Sequence, residues 1–299
     1  YAVSPSSGRR MEECARAFYL DHFGSWGGWD ARHPGRETYA LKKANSIAQY
    51  AGILVHAAAA RCLGAVRRGA PVPTYDALLQ DAIVALQASA TRRPDDDLKR
   101  CPPLTEVIYG EPDVEERLDR AVDTIATCIR HLVANRYLTR IAEHLGGKPR
   151  ILEVEALHTI AITDPRLPAP LRIHFALDVL LHVGEHVVVA DWKTGQERDS
   201  DHDQVGIYGL HAHQERPGAS VVLALVYLRA GEVQYVDADA DTLAEARERL
   251  ITAGEMLAER AKIVHEDGEV LASATPDNWP MTEDHQTCRW CAYRRLCGR

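Results

Sequence analysis

The pattern of apolar and polar residues divides the chain into a helical first half and a strand-rich second half. Helical periodicity is found in four stretches: 8–22, which contains Cys14, 44–68, 74–92 and 113–145. Pro102 and Pro103 interrupt this half between the last two stretches. The stretch 44–68 is Ala-rich and nearly all apolar, which predicts a buried helix with His56 near its middle.

After Gly146 and Gly147 the pattern changes to strand-like segments. Strands are predicted at 151–160, 171–183 and 186–193, and the last two form a hairpin around Gly184. Three further elements are predicted in the order helix, strand pair and helix, at 201–214, 219–236 and 239–265. The tail from 266 is predicted to be irregular as far as the last cysteines. This order predicts a mixed α/β core with helices before and after it.

Composition excludes several classes of protein. With 299 residues, of which 46% are hydrophobic, the chain can bury a substantial core. Neither a run of about 18 apolar residues nor a signal-peptide pattern is present, so a cytoplasmic protein without a membrane span is expected. The net charge of −8 argues weakly against general nucleic-acid binding. The last twelve residues nevertheless contain four arginines and no acid, at 289, 294, 295 and 299.

Two neighbouring strands carry acids and a lysine suited to phosphodiester chemistry. In strand 171–183, the alternation of apolar and polar residues predicts one apolar face, formed by Ile173, Phe175, Leu177, Val179 and Leu181. Asp178 is therefore predicted to lie on the opposite face. In the next strand, Asp191 and Lys193 are two residues apart and therefore adjacent. Two carboxylates can hold Mg²⁺ or Mn²⁺, and a lysine beside them can orient a water molecule. An exposed hairpin with a surface Asp–Lys pair is the alternative for any isolated D-x-K.

Other residues could join this group. Glu155 lies on the preceding strand and could add a ligand, although Glu153 shares its face and the choice between them stays open. Gln204 and Tyr208 are four apart on a predicted helix and share a face, which in isolation indicates ordinary packing. His56 is either a core histidine or a metal ligand.

Taken in order, these residues resemble the motif series of the RecB-like PD-(D/E)XK nucleases over nearly the whole chain. The series is His56, Glu155, Asp178, Asp191-Trp192-Lys193-Thr194-Gly195 and Gln204-x-x-x-Tyr208. The resemblance implies that a divalent metal is surrounded by His56, Asp178, Asp191 and the backbone carbonyl of Trp192, with Glu155 nearby. It also implies that Lys193 positions the attacking water, and that Gln204 and Tyr208 support the lysine and the DNA backbone.

The resemblance also implies a fold. It is a restriction-endonuclease-like core, with a mixed central sheet flanked by helices, in a single domain over 1–299. Within it we expect N-terminal helices at 1–69, a helical insertion at about 70–148, the nuclease core at 149–265 and a cysteine-cluster tail at 266–299. The chain departs from the family at the first aspartate, where the family often has Gly-Arg-Ile-Asp and this sequence has Phe175-Ala176-Leu177-Asp178. The missing arginine removes one possible DNA contact but leaves the carboxylate.

Seven cysteines in a presumed cytosolic chain favour metal ligands or buried thiols over disulfides. Cys288, Cys291 and Cys297 cannot complete a four-thiolate site alone, and Cys14 is the candidate for a fourth ligand that would join the two ends of the domain. This arrangement resembles the iron–sulfur nucleases that include the AddB nuclease domain and the CRISPR-adaptation nucleases, which implies a [4Fe–4S] cluster. A zinc site, with His285 as another possible ligand, uses the same residues.

The resulting hypothesis is a metal-dependent DNA nuclease, an exonuclease rather than an endonuclease, acting on single-stranded DNA or DNA ends in repair, recombination or defence. A helicase or another DNA-processing protein is a possible partner. Two rivals remain at this point. One is a catalytically silent nuclease-like module that binds DNA or a protein, and the other is a zinc-stabilised protein whose acids are surface residues.

Overall fold

The computed structural model describes residues 1–92, 97–134, 136–266 and 269–299. Its α-helices are α1 (Pro5–Glu13), α2 (Ala15–Tyr19), α3 (Arg36–Lys42), α4 (Ile47–Arg67), α5 (Tyr75–Ala90), α6 (Thr105–Ile108), α7 (Val114–Val133), α8 (Arg136–Leu145), α9 (Asp199–Glu215), α10 (Ala240–Arg260) and α11 (His285–Arg289). A π-helical turn follows α2 at Leu20–Gly24, and 3₁₀ turns lie at Pro276–Asn278 and Arg294–Cys297.

Six strands form a central mixed sheet. They are β1 (Ala2–Val3), β2 (Pro149–Ile162), β3 (Leu171–Val183), β4 (His186–Lys193), β5 (Ser220–Tyr227) and β6 (Glu232–Asp237). The order is β1-β3-β4-β5-β6, and β2 pairs antiparallel with β3. Strands β4 and β5 are parallel and α9 connects them, as a parallel pair requires. A separate hairpin joins β7 (Val264–Glu266) to β8 (Glu269–Leu271). The α/β fold with a mixed central sheet flanked by helices, predicted from the sequence, is confirmed.

Each face of the sheet has its own apolar core. On the α4 face, Val179, Leu181 and Trp192 pack with residues of α4, α5, α7 and α8. On the α9 face, the core combines strand residues with α1, α2, α9, α10 and Trp279. The described part of the segment from 70 to 148 contains the helices α5, α6, α7 and α8, and its long helix α7 shares the α4-face core. Burial on both faces explains the continuous apolar run of β4, because a strand covered on both sides has no polar face.

The predicted single apolar face of β3 is wrong. Ile173, Phe175 and Leu177 pack on the α9 face, whereas Val179 and Leu181 pack on the α4 face. The alternation changes phase beside Asp178; this residue and Glu155 lie between the paired positions Val154–Val179 and Ala156–Leu177. Glu155 has a φ of 48°, a left-handed conformation that interrupts the regular strand at this point. Strand alternation alone could not predict this change of phase.

Three boundaries also differ from the sequence prediction. Cys14 does not lie inside a helix, since its extended backbone separates α1 from α2. The predicted helix 113–145 is two helices, α7 and α8. The predicted helix 239–265 ends at Arg260, and Lys262 then has a φ of 48°, which turns the chain into the β7–β8 hairpin rather than an irregular tail.

Half of the α4 face is open to solvent. Along β2, Leu157, Thr159 and Ala161 are exposed and alternate with buried Ile160 and Ile162 of the α9-face core. Arg172 and His174 on β3 are exposed in the same alternation. These side chains therefore point toward the α4 side, beyond the area that the helices cover. The boundary between the covered and the open half lies at Glu155 and Asp178.

Candidate metal and catalytic site

Three polar side chains converge where β2 and β3 change phase. The Nδ1 atom of His56 lies 3.1 Å from Asp178 Oδ1 and 3.8 Å from Glu155 Oε1. One potential ligand atom from each residue can be chosen so that all three lie within 4.8 Å of one another, and no other such group of His, Cys, Asp or Glu is found among the described residues. The helix α4 supplies His56 and the sheet supplies both acids. The site therefore joins a helix to two strands.

The carboxylate of Asp178 is held in place by its burial and by a backbone hydrogen bond. The residue is 6% exposed, and its Oδ2 accepts a hydrogen bond of 2.7 Å from the backbone N–H of Trp192. This bond ties β3 to β4 next to Asp191 and Lys193. The indole of Trp192 is buried and packs against the ring of Tyr137, with 5.2 Å between centroids. The strand end that carries Asp191 is thus held from both sides.

Asp191, Lys193, Gln204 and Tyr208 form a second polar chain. The ammonium of Lys193 lies 2.7 Å from Asp191 Oδ2 and donates a hydrogen bond of 2.8 Å to Gln204 Oε1. The amide of Gln204 in turn donates to the hydroxyl of Tyr208. Asp191 is 2% exposed and lies outside the group of three that converges within 4.8 Å.

Asp201 is a member of the site that the sequence analysis missed. Its Oδ1 lies 3.5 Å from the ammonium of Lys193, and its Oδ2 accepts hydrogen bonds from Tyr227 and from the backbone N–H of Arg198. It lies three residues before Gln204 on α9, so the helical spacing that grouped Gln204 with Tyr208 could have included it.

The two glutamates that the sequence could not separate occupy different places. Glu155 faces His56, whereas the Oε2 atom of Glu153 pairs at 2.7 Å with Nε2 of His158. The ring of His158 packs 4.2 Å from that of His211 on the α9 side, away from the converging group. A bulge between Ile151 and Glu153 shifts the β2 register here, so strand alternation does not predict which acid reaches the site.

The gathered carboxylates change the acidity of the site. Burial raises the pKa of Glu155 to about 7, and Asp178 adds to this shift while His56 opposes it. Burial also raises the pKa of Asp191, with a further increase from Asp178 and an opposing effect of Lys193. Burial lowers the pKa of His56, but its hydrogen bond to Asp178 and the charges of Asp178, Asp191 and Glu155 outweigh this and raise it to about 9.

This donor set fits a hard divalent cation. Carboxylate oxygens together with one imidazole nitrogen are ligands for Mg²⁺, Mn²⁺ and related ions. The negative charges of Asp178, Asp191 and Glu155 favour positive charge at this point, in agreement with the raised pKa of His56.

Comparison with known protein families identifies the family of the chain that carries this site. The family model of the PD-(D/E)XK nuclease superfamily matches residues 2–298. The chain belongs to this superfamily. PD-(D/E)XK proteins are in general nucleases that hydrolyse phosphodiester bonds with Mg²⁺ or a similar divalent metal, in agreement with the donor set. The central mixed sheet is consistent with their restriction-endonuclease-like fold. A search of curated proteins found no match to the chain.

The structure of this PD-(D/E)XK protein also brings its early and late cysteines together. Cys14 and Cys291 both pack against a small apolar cluster of Ala17, Leu41 and Tyr293. Burial raises the pKa of the Cys291 thiol, and the nearby Cys14 and Cys297 thiols add to the shift. In the same way burial raises the pKa of Cys297, with Cys14 and Cys288 contributing. All four thiols therefore lie in one neighbourhood.

Polar contacts attach the cysteine-bearing tail to the N-terminal part. Arg16 donates to the carbonyl of Trp279 at 2.7 Å, and Tyr293 donates to Asp21 at 2.8 Å. Cys62 and Cys128 are buried in the α4-face core, and they take no part in this neighbourhood. None of the described helices of this PD-(D/E)XK protein is both long and apolar enough to cross a membrane.

Proposed function

We propose that the protein is a metal-dependent DNA nuclease whose centre is built by His56, Asp178, Asp191 and the backbone carbonyl of Trp192, with Glu155 beside them. These groups would hold one or more Mg²⁺ or Mn²⁺ ions. The observation that carries the proposal is the convergence of ligand atoms of His56, Glu155 and Asp178 within 4.8 Å. The Asp191–Lys193–Gln204 chain follows directly along β4 and α9.

A divalent cation held there would supply positive charge that offsets the negative charge developing on the scissile phosphate. Lys193 is the group that positions the attacking water. Its side chain is 15% exposed, and its ammonium is held by contacts with Asp191, Gln204 and Asp201. As a cation it also stabilises the charge that accumulates in the transition state.

Gln204, Tyr208 and Asp201 act through Lys193. Gln204 accepts from the ammonium with one amide atom and donates to Tyr208 with the other, which fixes the orientation of its amide. Asp201 is held by Tyr227 and lies 3.5 Å from the same ammonium. Such supporting hydrogen bonds keep a catalytic group within the narrow geometry that reaction requires.

The open half of the α4 face supports a polymeric substrate. It starts at Glu155 and Asp178 and continues along β2 and β3, so a nucleic-acid strand has room to extend from the site. Leu157, which is 86% exposed, offers an apolar contact for a base or sugar. Arg172 offers a cation, and no carboxylate within the described ranges forms an ion pair with it.

We propose single-stranded DNA or DNA ends as the substrate and exonucleolytic action, in repair, recombination or defence, with a helicase or another DNA-processing protein as a partner.

We further propose a [4Fe–4S] cluster held by Cys14, Cys288, Cys291 and Cys297. Thiolates are the ligands of such clusters. Four thiolates could also hold a single zinc ion. The arrangement of one early and three late cysteines resembles that of the iron–sulfur nucleases, which favours the cluster, and a cluster held in this way would join the two ends of the domain.

The decisive experiment is cleavage of end-labelled DNA with Mg²⁺ or Mn²⁺. Single-stranded, double-stranded and circular single-stranded substrates should be compared for wild type, Asp191→Ala and Lys193→Ala. Asp203→Asn serves as a control, because Asp203 is an acid on α9 that pairs with Arg249 rather than with the site. We expect metal-dependent cleavage of linear single strands, loss of about a thousandfold or more in both site variants and little change in the control.

Each outcome assigns a function. Cleavage of circular DNA would overturn the exonuclease assignment, and DNA binding without cleavage under either metal would make the protein a nuclease-like binding module. The cluster is tested separately by anaerobic purification, which should yield a brown protein with broad absorption near about 400 nm. A folded, colourless protein that contains zinc would refute the iron–sulfur assignment.

A further inference from the structure

The C-terminal segment forms an open depression lined by basic residues. Its lining residues are His285, Cys288, Arg289, Arg294 and Arg299, and its volume is about 270 Å³. Three guanidinium groups therefore border one space, and no carboxylate side chain belongs to the lining. This is a concentrated positive charge in a protein whose overall charge is −8.

Arg294 is held in a fixed orientation. One side of its guanidinium pairs with Glu111 at 2.6 Å, the group lies 3.8 Å from the ring centroid of Tyr109, and it also donates to the backbone carbonyl of Arg289. It is 16% exposed. Such a partly buried and preorganised arginine loses little conformational entropy when it binds a ligand.

Arg289 and Arg299 have no comparable acid. Within the part of the chain that the structure describes, neither forms an ion pair with a carboxylate. Arg289 lies 5.0 Å above the ring of Trp290, and Arg117 lies 4.7 Å from the same ring. Arg299 lies against the imidazole of His285 at 3.1 Å. Aromatic rings thus hold both guanidinium groups at the rim and leave their charge uncompensated.

We propose that this depression binds a phosphate group of a nucleic-acid strand. The inference rests on the proposed nuclease function, since it names a second contact for the same substrate. Guanidinium groups match phosphate oxygens with paired hydrogen bonds, and three around one space are suited to a dianionic or bridging phosphate. The depression is open, so a strand can enter and leave it, whereas a small anion alone would favour an enclosed site. Its ligand class is therefore a phosphodiester or terminal phosphate of DNA.

The depression lies next to the cysteines of the C-terminal segment. Cys288 belongs to the lining, and Arg294 lies between Cys291 and Cys297 in the 3₁₀ turn. A cluster bound to these thiols would keep the turn and the preceding helix α11 at a fixed separation. The cysteine region then contributes substrate contacts as well as stability.

The test compares Arg289→Gln/Arg299→Gln with Arg295→Gln in the full chain that retains its cluster. Arg295 is a neighbouring arginine that pairs with Glu37 at 2.8 Å and does not line the depression. Fluorescence anisotropy should follow binding of single-stranded DNA, with and without a 5′ phosphate, across a salt series with Ca²⁺ in place of Mg²⁺. We expect the double variant to bind at least about tenfold more weakly, and its salt slope to fall by about 0.7, since each neutralised phosphate on a single strand contributes about 0.7. The control should match wild type.

Unchanged affinity and unchanged salt slope in the double variant would overturn the inference. Pyrophosphate serves as a separate probe, measured by its protection of the protein against thermal unfolding. The wild-type protein could be protected by pyrophosphate without binding any oligonucleotide, and the double variant could lack this protection. This result would assign the depression to a free phosphate compound and overturn the nucleic-acid assignment. The Asp191→Ala variant should lose cleavage but keep normal DNA binding and a normal salt slope, because the depression is unchanged in it. The nuclease proposal and the phosphate-site proposal can therefore fail separately.

Discussion

The acidic site and the cysteine neighbourhood are built in opposite ways. Asp178 and Asp191 lie on strands whose flanking residues belong to the two large apolar cores. The cysteines lie in short turns or at helix ends, and the apolar cluster beside them has three buried residues, Ala17, Leu41 and Tyr293. The first site takes its geometry from the core, whereas the second depends on a few polar contacts and on its ligand.

This difference predicts how each region responds to loss of its metal. Around Asp178, hydrogen bonds from His56 and from the backbone of Trp192 fix the carboxylate through protein groups. Removal of the metal should therefore leave the packing of the sheet unchanged. Around Cys291, the thiols lie in one neighbourhood without direct bonds between them. Binding of a cluster would then contribute folding free energy, as it does in other small metal-stabilised structures.

The largest expected effect separates the two regions by stability. Cys291→Ala should lower the free energy of unfolding by about 3 kcal/mol or more, the size expected when a bound metal centre is lost. Lys193→Ala should cost about 1 kcal/mol, because the buried Asp191 that it leaves can take up a proton. Chemical denaturation of anaerobically purified protein, together with iron content, measures both.

The matched control is Cys101→Ala, a partly exposed cysteine far in sequence from the other four. It should retain iron and wild-type stability. Equal stability of the Cys291 and Lys193 variants would show that the cysteine neighbourhood does not depend on its ligand for stability.

Next in size is the effect of the residues that hold Lys193. Gln204→Ala removes the acceptor of a 2.8 Å hydrogen bond from the ammonium, so kcat should fall about tenfold to a hundredfold with little change in KM or in metal affinity. Tyr208→Phe removes the hydroxyl that accepts from Gln204 and should cost less. Steady-state kinetics and Mn²⁺ titration measure these quantities. A rise in KM alone would instead assign Gln204 to substrate binding.

Much of this site was predictable because its parts follow local rules. Period-2 spacing placed Asp191 beside Lys193, and period-3.6 spacing placed Gln204 beside Tyr208; both pairs are in contact. The approach of His56 to Asp178 joins residues 122 positions apart, so no local rule could supply it. It was expected from the resemblance to a family and depends on how α4 packs on the sheet.

Other features depend on irregularities that hydrophobic patterns do not record. The bulge between Ile151 and Glu153 and the left-handed backbone of Glu155 decide which glutamate faces His56. The same irregularity moves Val179 to the opposite face from Leu177. The break at Cys14 was missed because a helical pattern continues across it, while the backbone there is extended.

The effect of pH on stability should be smaller than the effects of these substitutions. Its direction follows from the raised pKa values of His56 and Glu155. His56 is raised from 6.5 to about 9, so its contribution to stability is complete below pH 6.5 and is lost as the pH rises through about 9. Glu155 is raised from 4.5 to about 7, so its contribution is likewise lost as the pH rises toward 7. The metal-free protein should therefore become less stable between pH 4.5 and 9, as thermal unfolding can measure.

Divalent metal should reverse part of this loss. Metal binding replaces the protons on the site, so the stabilisation by Mn²⁺ should grow as the pH rises. His56→Ala should show a flatter pH dependence without metal and less stabilisation with it. A Mn²⁺ effect that is equal at low and high pH would contradict binding at these groups.

The smallest expected effect concerns the open half of the sheet. Leu157→Ser should weaken binding of single-stranded DNA by about threefold to tenfold, since one apolar contact with a base or sugar is worth about 1 kcal/mol. Val84→Ser is the matched control, because Val84 is 53% exposed on α5 and lies away from the strands that carry the acids. The hydrolysis of a small phosphodiester should be equal in both variants, because neither residue touches the metal site. Equal DNA affinity of both variants would show that the strand leaves the site by another path, and that the open strands beside Glu155 do not contact it.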